Sequence, residues 1–115
     1  MEGKITVDPK DAQDNKLMGI LAYLVVIVPI LVAKDSPFAR FHSNQGLILL
    51  IAAIVLAIAG GILSTIIAII SWSLAYLINA AVGLCVLAFV VIGIINAVNG
   101  EMKELPIIGK YTILK

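Results

Sequence analysis

Between Arg40 and Glu101 the chain runs for sixty residues without a formal charge, counting His42 as neutral. No soluble domain of 115 residues has the interior to bury such a stretch. The feature excludes an ordinary cytoplasmic enzyme, a nucleic-acid binder and a disordered tail. It makes the chain integral to a membrane. Composition agrees, with 62% hydrophobic against 13% charged residues. The few basic residues are interspersed with acidic ones, so no electrostatic footprint for nucleic acid exists.

Length then sets the number of crossings. From Leu47 to Val98 the chain is almost wholly apolar for 52 residues. One crossing of a ~30 Å hydrocarbon core uses about 20 residues. Two crossings fit, and three do not. Ser71-Trp72-Ser73 and Tyr76 form the polar and aromatic cluster near the middle, suited to the headgroup level. Spans are therefore expected at about 47–70 and 75–98. Gly60-Gly61 is a poorer break point, because it would leave too few residues before it. An earlier run, Leu17 to Ala33, is 17 residues long and contains Pro29. It is expected as a further, kinked span. Its acidic leader and the lack of an Ala-x-Ala site before Lys34 argue against a signal peptide.

The expected fold is thus an all-α three-helix transmembrane bundle. Residues 1–16 read as a polar, solvated tail. Ser36-Pro37 reads as a helix start, a capping hydroxyl before a proline at the first helical position. The following 37–46 segment is polar and is expected as an interfacial helical extension before the second span. Three spans put the Trp72 turn on the side of the amino terminus. Three Lys then face five Lys and Arg on the other side. The positive-inside rule leans toward a cell-membrane, multi-pass protein with a cytoplasmic carboxyl terminus.

Chemistry is sparse within the apolar stretch. No Asp, Glu, Lys, Arg or His lies between Ser43 and Gly100, so the serines and threonine there have no buried base to activate them. No carboxylate pair and no His-rich metal set is present, and Cys85 reads as a small hydrophobe. No enzymatic activity, cofactor or metal is expected. Ala53, Ala57 and Gly61 form one small-residue stripe, and Ala75, Asn79 and Gly83 another, each suited to helix packing. The Asn79 amide needs a partner within the membrane.

Polar chemistry gathers at two edges. One is Phe38-Ala-Arg-Phe-His-Ser-Asn-Gln-Gly46. The other begins at Asn96, Asn99, Gly100, Glu101 and Glu104, with Pro106 and Gly109 ending any helix. Two clamps are expected between them. Arg40 or His42 would pair with Glu101 or Glu104, and Gln45 would bond Asn96 or Asn99. The same groups could instead hold anionic headgroups or a partner protein. His42 is also a candidate pH switch.

These motifs resemble the Tic20-like family of small prokaryotic membrane proteins, related to a component of the chloroplast inner-envelope import machinery. The resemblance covers residues 17–111, with 112–115 as an end. It is carried by Phe38, Arg40, His42, Gln45 and Gly46, and by Asn96, Gly100, Glu101 and Pro106-Ile-Ile-Gly109. It implies a multi-span protein of the cytoplasmic membrane and supplies no catalytic residue. Three functions fit this reading. They are an accessory or scaffold subunit of a larger membrane complex, an oligomeric pore or transporter subunit, and a lipid-interacting factor. The partners expected are membrane lipids, a membrane protein or a second copy.

Overall fold

Ser36 and Pro37 start a helix as their chemistry requires. The Ser36 hydroxyl accepts from the Ala39 N–H at 3.0 Å, and the helix runs from Pro37 to Ala68. In the computed structural model, which describes residues 4–114, the elements follow in order. They are β1 (Lys4–Ile5), α1 (Pro9–Asp14), α2 (Lys16–Leu21), α3 (Ile27–Val32), α4 (Pro37–Ala68), α5 (Trp72–Val98) and β2 (Met102–Lys103).

Helices α4 and α5 form an antiparallel hairpin. Its turn is tight, because Ser71 Oγ caps α5 by accepting from the Leu74 N–H at 3.2 Å. The two helices meet through small residues. A Cβ on Gly60 would stand 3.0 Å from Val82, and Ser64 and Ala75 are buried. At 32 residues α4 is about 48 Å long at ~1.5 Å per residue. That exceeds a hydrocarbon core of about 30 Å. Isoleucines, valines and leucines along both helices, from Ile51 to Val91, face outward. A core helix of a water-soluble protein would bury them. At the hairpin tip Trp72 is 85% exposed.

Among the described residues two helices are long and apolar enough to cross a membrane, not three. The expected first span is broken into α2 and α3, six residues each. Neither can reach across the bilayer, since six residues rise only about 9 Å. The cause is local. Pro29 has no N–H to offer the Val25 carbonyl, and its ring crowds that oxygen. The carbonyl accepts from the Val28 N–H instead, at 3.2 Å. Three-residue turn bonds replace helical ones just before, with Tyr23 N–H donating to Ile20 O and Leu24 N–H to Leu21 O. The break is also held from outside, because the Ala22 backbone lies directly against Gly46, where any Cβ would collide.

The change in span number moves the start of the chain. β1 pairs antiparallel with β2, Lys4 opposite Lys103 and Ile5 opposite Met102. Residues 4–14 therefore lie at the same end as residues 101–114. The Trp72 turn is at the other end. The 37–46 segment is helical throughout. It is the continuous start of α4, and Phe38, Ala39, His42, Ser43, Asn44, Gln45 and Gly46 are all buried beneath the surrounding chain. Two clusters of apolar side chains fill this end. Phe38, Ala12, Ala97 and Met102 form one. Tyr23, Ala22, Leu49 and Leu105 form the other, beside Phe89 and Val90 of α5.

Candidate functional site: a polar cap on the hairpin

The cap is built around His42. Its position on α4 turns the ring inward among three aromatic rings. Phe38, Phe41 and Tyr23 stand edge-on to it, with centroids 4.6, 5.2 and 5.5 Å away. Nε2 lies 2.7 Å from the Glu101 carbonyl oxygen, and Nδ1 lies 2.6 Å from the Tyr23 hydroxyl. A carbonyl can only accept, so Nε2 carries the hydrogen. In a neutral ring Nδ1 then accepts from Tyr23. Burial pushes the Tyr23 hydroxyl above its ordinary range, so it stays protonated and able to donate. Tyr23 reaches this place because Gly93 of α5 leaves room for its ring.

One turn further along α4, Gln45 and Asn44 hold the segment after α5. Gln45 Oε1 accepts from the Leu105 N–H at 2.9 Å, and Nε2 donates to the Gly109 carbonyl at 2.9 Å. Asn44 donates to the Tyr111 carbonyl at 2.9 Å. It also accepts from the N–H groups of Ile113 and Leu114, at 2.6 and 3.0 Å. These amides thus do what a neighbouring strand does for a backbone. Residues 104–114 become a strap laid on α4. The strap turns at Pro106-Ile107, where the Ile108 N–H donates to the Pro106 carbonyl at 2.7 Å. Ile107 has φ of +70, the left-handed region that a β-branched residue avoids. Its side chain is 84% exposed.

The exit of α5 is a complete glycine cap. Gly100 adopts φ of +70. Its N–H donates to Ala97 O, and the Glu101 N–H donates to Asn96 O, the paired bonds of the Schellman motif. This turn delivers the Glu101 carbonyl to His42. Asn96 is buried and donates to Lys103 O at 3.3 Å. Asn99 caps the helix and is exposed.

Two of the expected residues bridge the two edges through backbone atoms. His42 reaches the Glu101 carbonyl, and Gln45 reaches Leu105 and Gly109 rather than Asn96 or Asn99. Glu104 lines a shallow cavity of about 200 Å³ with Arg40, Asn44 and Tyr111. Asp11 and Tyr23 were not singled out by the motifs, and Asn44 was given no role of its own. Asp11 accepts from Ser36 Oγ at 2.6 Å and from the Phe38 N–H at 2.9 Å. It caps α4 from 27 residues away, a distance at which no local pattern signals. Tyr23 did carry a signal, since a hydroxyl in an apolar run needs a partner.

The small-residue stripes divide. Ala75 faces α4, whereas Asn79 and Gly83 are exposed on α5. On α4 the helix contact is made by Gly60 and Ser64. Ala57 is exposed, and a Cβ on Gly61 would meet nothing within 4 Å. Ala53 lines a groove of about 390 Å³ between Ala22, Tyr23 and the hairpin. Among the described residues no group of three His, Cys, Asp or Glu could hold a metal ion.

Residues 14–112 match the model of the MamF_MmsF family, the magnetosome magnetite crystal formation protein family. The chain belongs to this family. It is also 30% identical over 100 residues to a UPF0132 membrane protein of Methanocaldococcus jannaschii. The match covers 84% of this chain and 66% of that relative, just under two thirds of the relative's length. No solved structure matches. The match corrects the resemblance drawn from the motifs, because the chain is related to these families and not to the Tic20-like one. The motif residues that suggested it are the ones that build the cap. With two long apolar helices exposed along their length, this family member is a small membrane protein with at least two spanning helices.

Proposed function

We propose that this chain is a non-enzymatic accessory or scaffold subunit. The hairpin holds it in the bilayer, and the cap offers the surface that a larger membrane complex grips. One observation carries the reading. The ionisable groups and the long-range hydrogen bonds gather in the cap, while the hairpin carries side chains suited to lipid. β2 and the strap leave Lys103, Ile107, Lys110 and Tyr111 exposed on the outer surface. An ordered strap with mixed basic and apolar side chains is a surface on which a partner can be recognised without first ordering it. The magnetite role belongs to the family's description and is not carried over, because no residue set of the cap argues for it.

A photo-crosslinking residue at Tyr111, activated in native membranes and followed by mass spectrometry, tests the reading. A recurrent membrane-protein adduct supports it. Adducts to lipid alone would leave the lipid-interacting reading in its place.

Orientation follows from the same division. All eight Lys and Arg flank the uncharged stretch in sequence, and the turn between α4 and α5 has none. With both flanks on one side, the positive-inside rule assigns the cap to the cytoplasm. A cysteine placed at Lys110, in a chain with Cys85→Ser, should react with an impermeant maleimide in inverted vesicles and not in intact cells. The reverse pattern would refute the assignment.

A further inference from the structure

Residues 17–33 enter the apolar zone and leave it at the same end of the molecule. Lys16 lines a cavity with Asn99 and Gly100 at the exit of α5. From there α2 descends along α5. Gly19 stands against Ala97, and further down Tyr23 lies against Gly93. The deepest part, Leu24 to Ile27, shares a groove with Ala53 of α4 and Val86 of α5. α3 then climbs back. The Ala33 carbonyl beyond it accepts from the Ser36 N–H at 3.2 Å, and the Ser36 hydroxyl is held in the cap by Asp11.

The helix rise measures how deep this loop goes. Trp72, exposed at the hairpin tip, marks one headgroup level. Val86 lies fourteen residues past it, about 21 Å along α5. The middle of a ~30 Å hydrocarbon core is about 15 Å from either face. The loop therefore stops short of the midplane and stays in the cap-side leaflet. Its outward side chains there are apolar. Leu24, Ile27, Leu31 and Val32 are 60, 59, 63 and 69% exposed, and at that depth they meet the acyl chains of one leaflet.

The cross-section is consequently unequal. Four helical segments displace lipid in the cap-side leaflet, and two do so in the other. Each helix is about 10 Å across, so the excess is on the order of 150 Å². Material inserted into one leaflet alone is accommodated best where that leaflet is convex, and the binding of interfacial helices is curvature-sensitive for this reason. We propose that residues 17–33 form a re-entrant wedge that fits this protein to membrane convex on the cap side. The partner is a curved lipid surface, and the fit is independent of what grips the cap.

The test uses the full chain in giant vesicles of phosphatidylcholine and phosphatidylglycerol. A dye is placed on a cysteine at the exposed Lys10, with Cys85→Ser. A thin tube is pulled from each vesicle, and protein fluorescence is divided by that of a lipid dye in tube and vesicle. An impermeant quencher then separates caps facing out from caps facing in. Outward caps should be enriched several-fold in the tube, and inward caps depleted. The enrichment should persist as the protein-to-lipid ratio falls, because a wedge acts chain by chain. Leu24→Lys combined with Ile27→Lys, both exposed at the bottom of the loop, should draw it toward the headgroups and shrink the difference between the two pools. Circular dichroism checks that this variant keeps its helices, and the two pools of the parent chain decide if it does not. Equal partitioning of outward and inward caps would overturn the proposal. So would enrichment that vanishes on dilution, which reports crowding of caps and not shape. A difference left unchanged in the folded paired variant would remove the loop as its source.

Discussion

Truncating His42 to Ala removes a ring packed among three others and strands two hydrogen-bonding groups, the Tyr23 hydroxyl and the Glu101 carbonyl. A cavity and unpaired polar groups together should cost about 3–5 kcal/mol. Tyr23→Phe leaves the rings packed and orphans Nδ1 alone, so its cost should be about 1–3 kcal/mol. Unfolding of the purified chain in mixed detergent, followed by circular dichroism, measures both. Equal losses would mean that hydrogen bonding and not packing holds the cap. Ile107 predicts the opposite sign. Its left-handed backbone costs a β-branched residue about 1–2 kcal/mol, part of which Ile107→Gly should return. At this scale the sequence was half legible. His42 and Gln45 stood out because polar side chains at the mouth of an apolar helix need partners. Apart from the Tyr23 hydroxyl, their partners are backbone carbonyls and N–H groups, which no side-chain pattern distinguishes.

The strap and the broken first segment are the elements on which the cap depends. Asn44→Ala removes three bonds to the strap's far end. Trypsin cleavage after the exposed Lys110 should accelerate several-fold in that variant, with the hairpin's helicity unchanged. No change in cleavage rate would show that the strap is held by its apolar contacts alone. Glycines separate supporting positions from idle ones. Gly46→Ala drives a methyl into the Ala22 backbone, which cannot move aside as a flexible side chain would. It should cost at least the ~1–3 kcal/mol of an overpacked core. Gly61→Ala meets open space and should stabilise α4 by up to about 1 kcal/mol, the helix preference of Ala over Gly. The two long helices were legible from the uncharged run, since length against bilayer thickness leaves two crossings and one turn. The first segment was misjudged because hydropathy counts side chains, and the break is made by Pro29's missing donor and by the seat that Gly46 offers to Ala22. Neither changes the apolar character of the run.

At the scale of the molecule, the cap draws its parts from both sides of the uncharged stretch. Asp11 and Tyr23 precede it, His42 and Gln45 stand at its start, and Glu101, Leu105 and Gly109 follow it. A chain ended by a stop codon at Glu101 should keep an inserted hairpin and lose the cap. Protease digestion would then remove residues before Pro37 that the full chain protects, and continued protection would refute the dependence. The same arrangement imposes an order of events during synthesis. At 5–20 residues per second, the 55 residues between Gln45 and Glu101 take about 3–11 s to emerge. Throughout that interval His42 and Gln45 wait at the head of a nascent helix without the carbonyls and N–H groups that will satisfy them. Closure of the cap thus comes after both arms of the hairpin have been made, and a closed cap certifies that both crossings are in place.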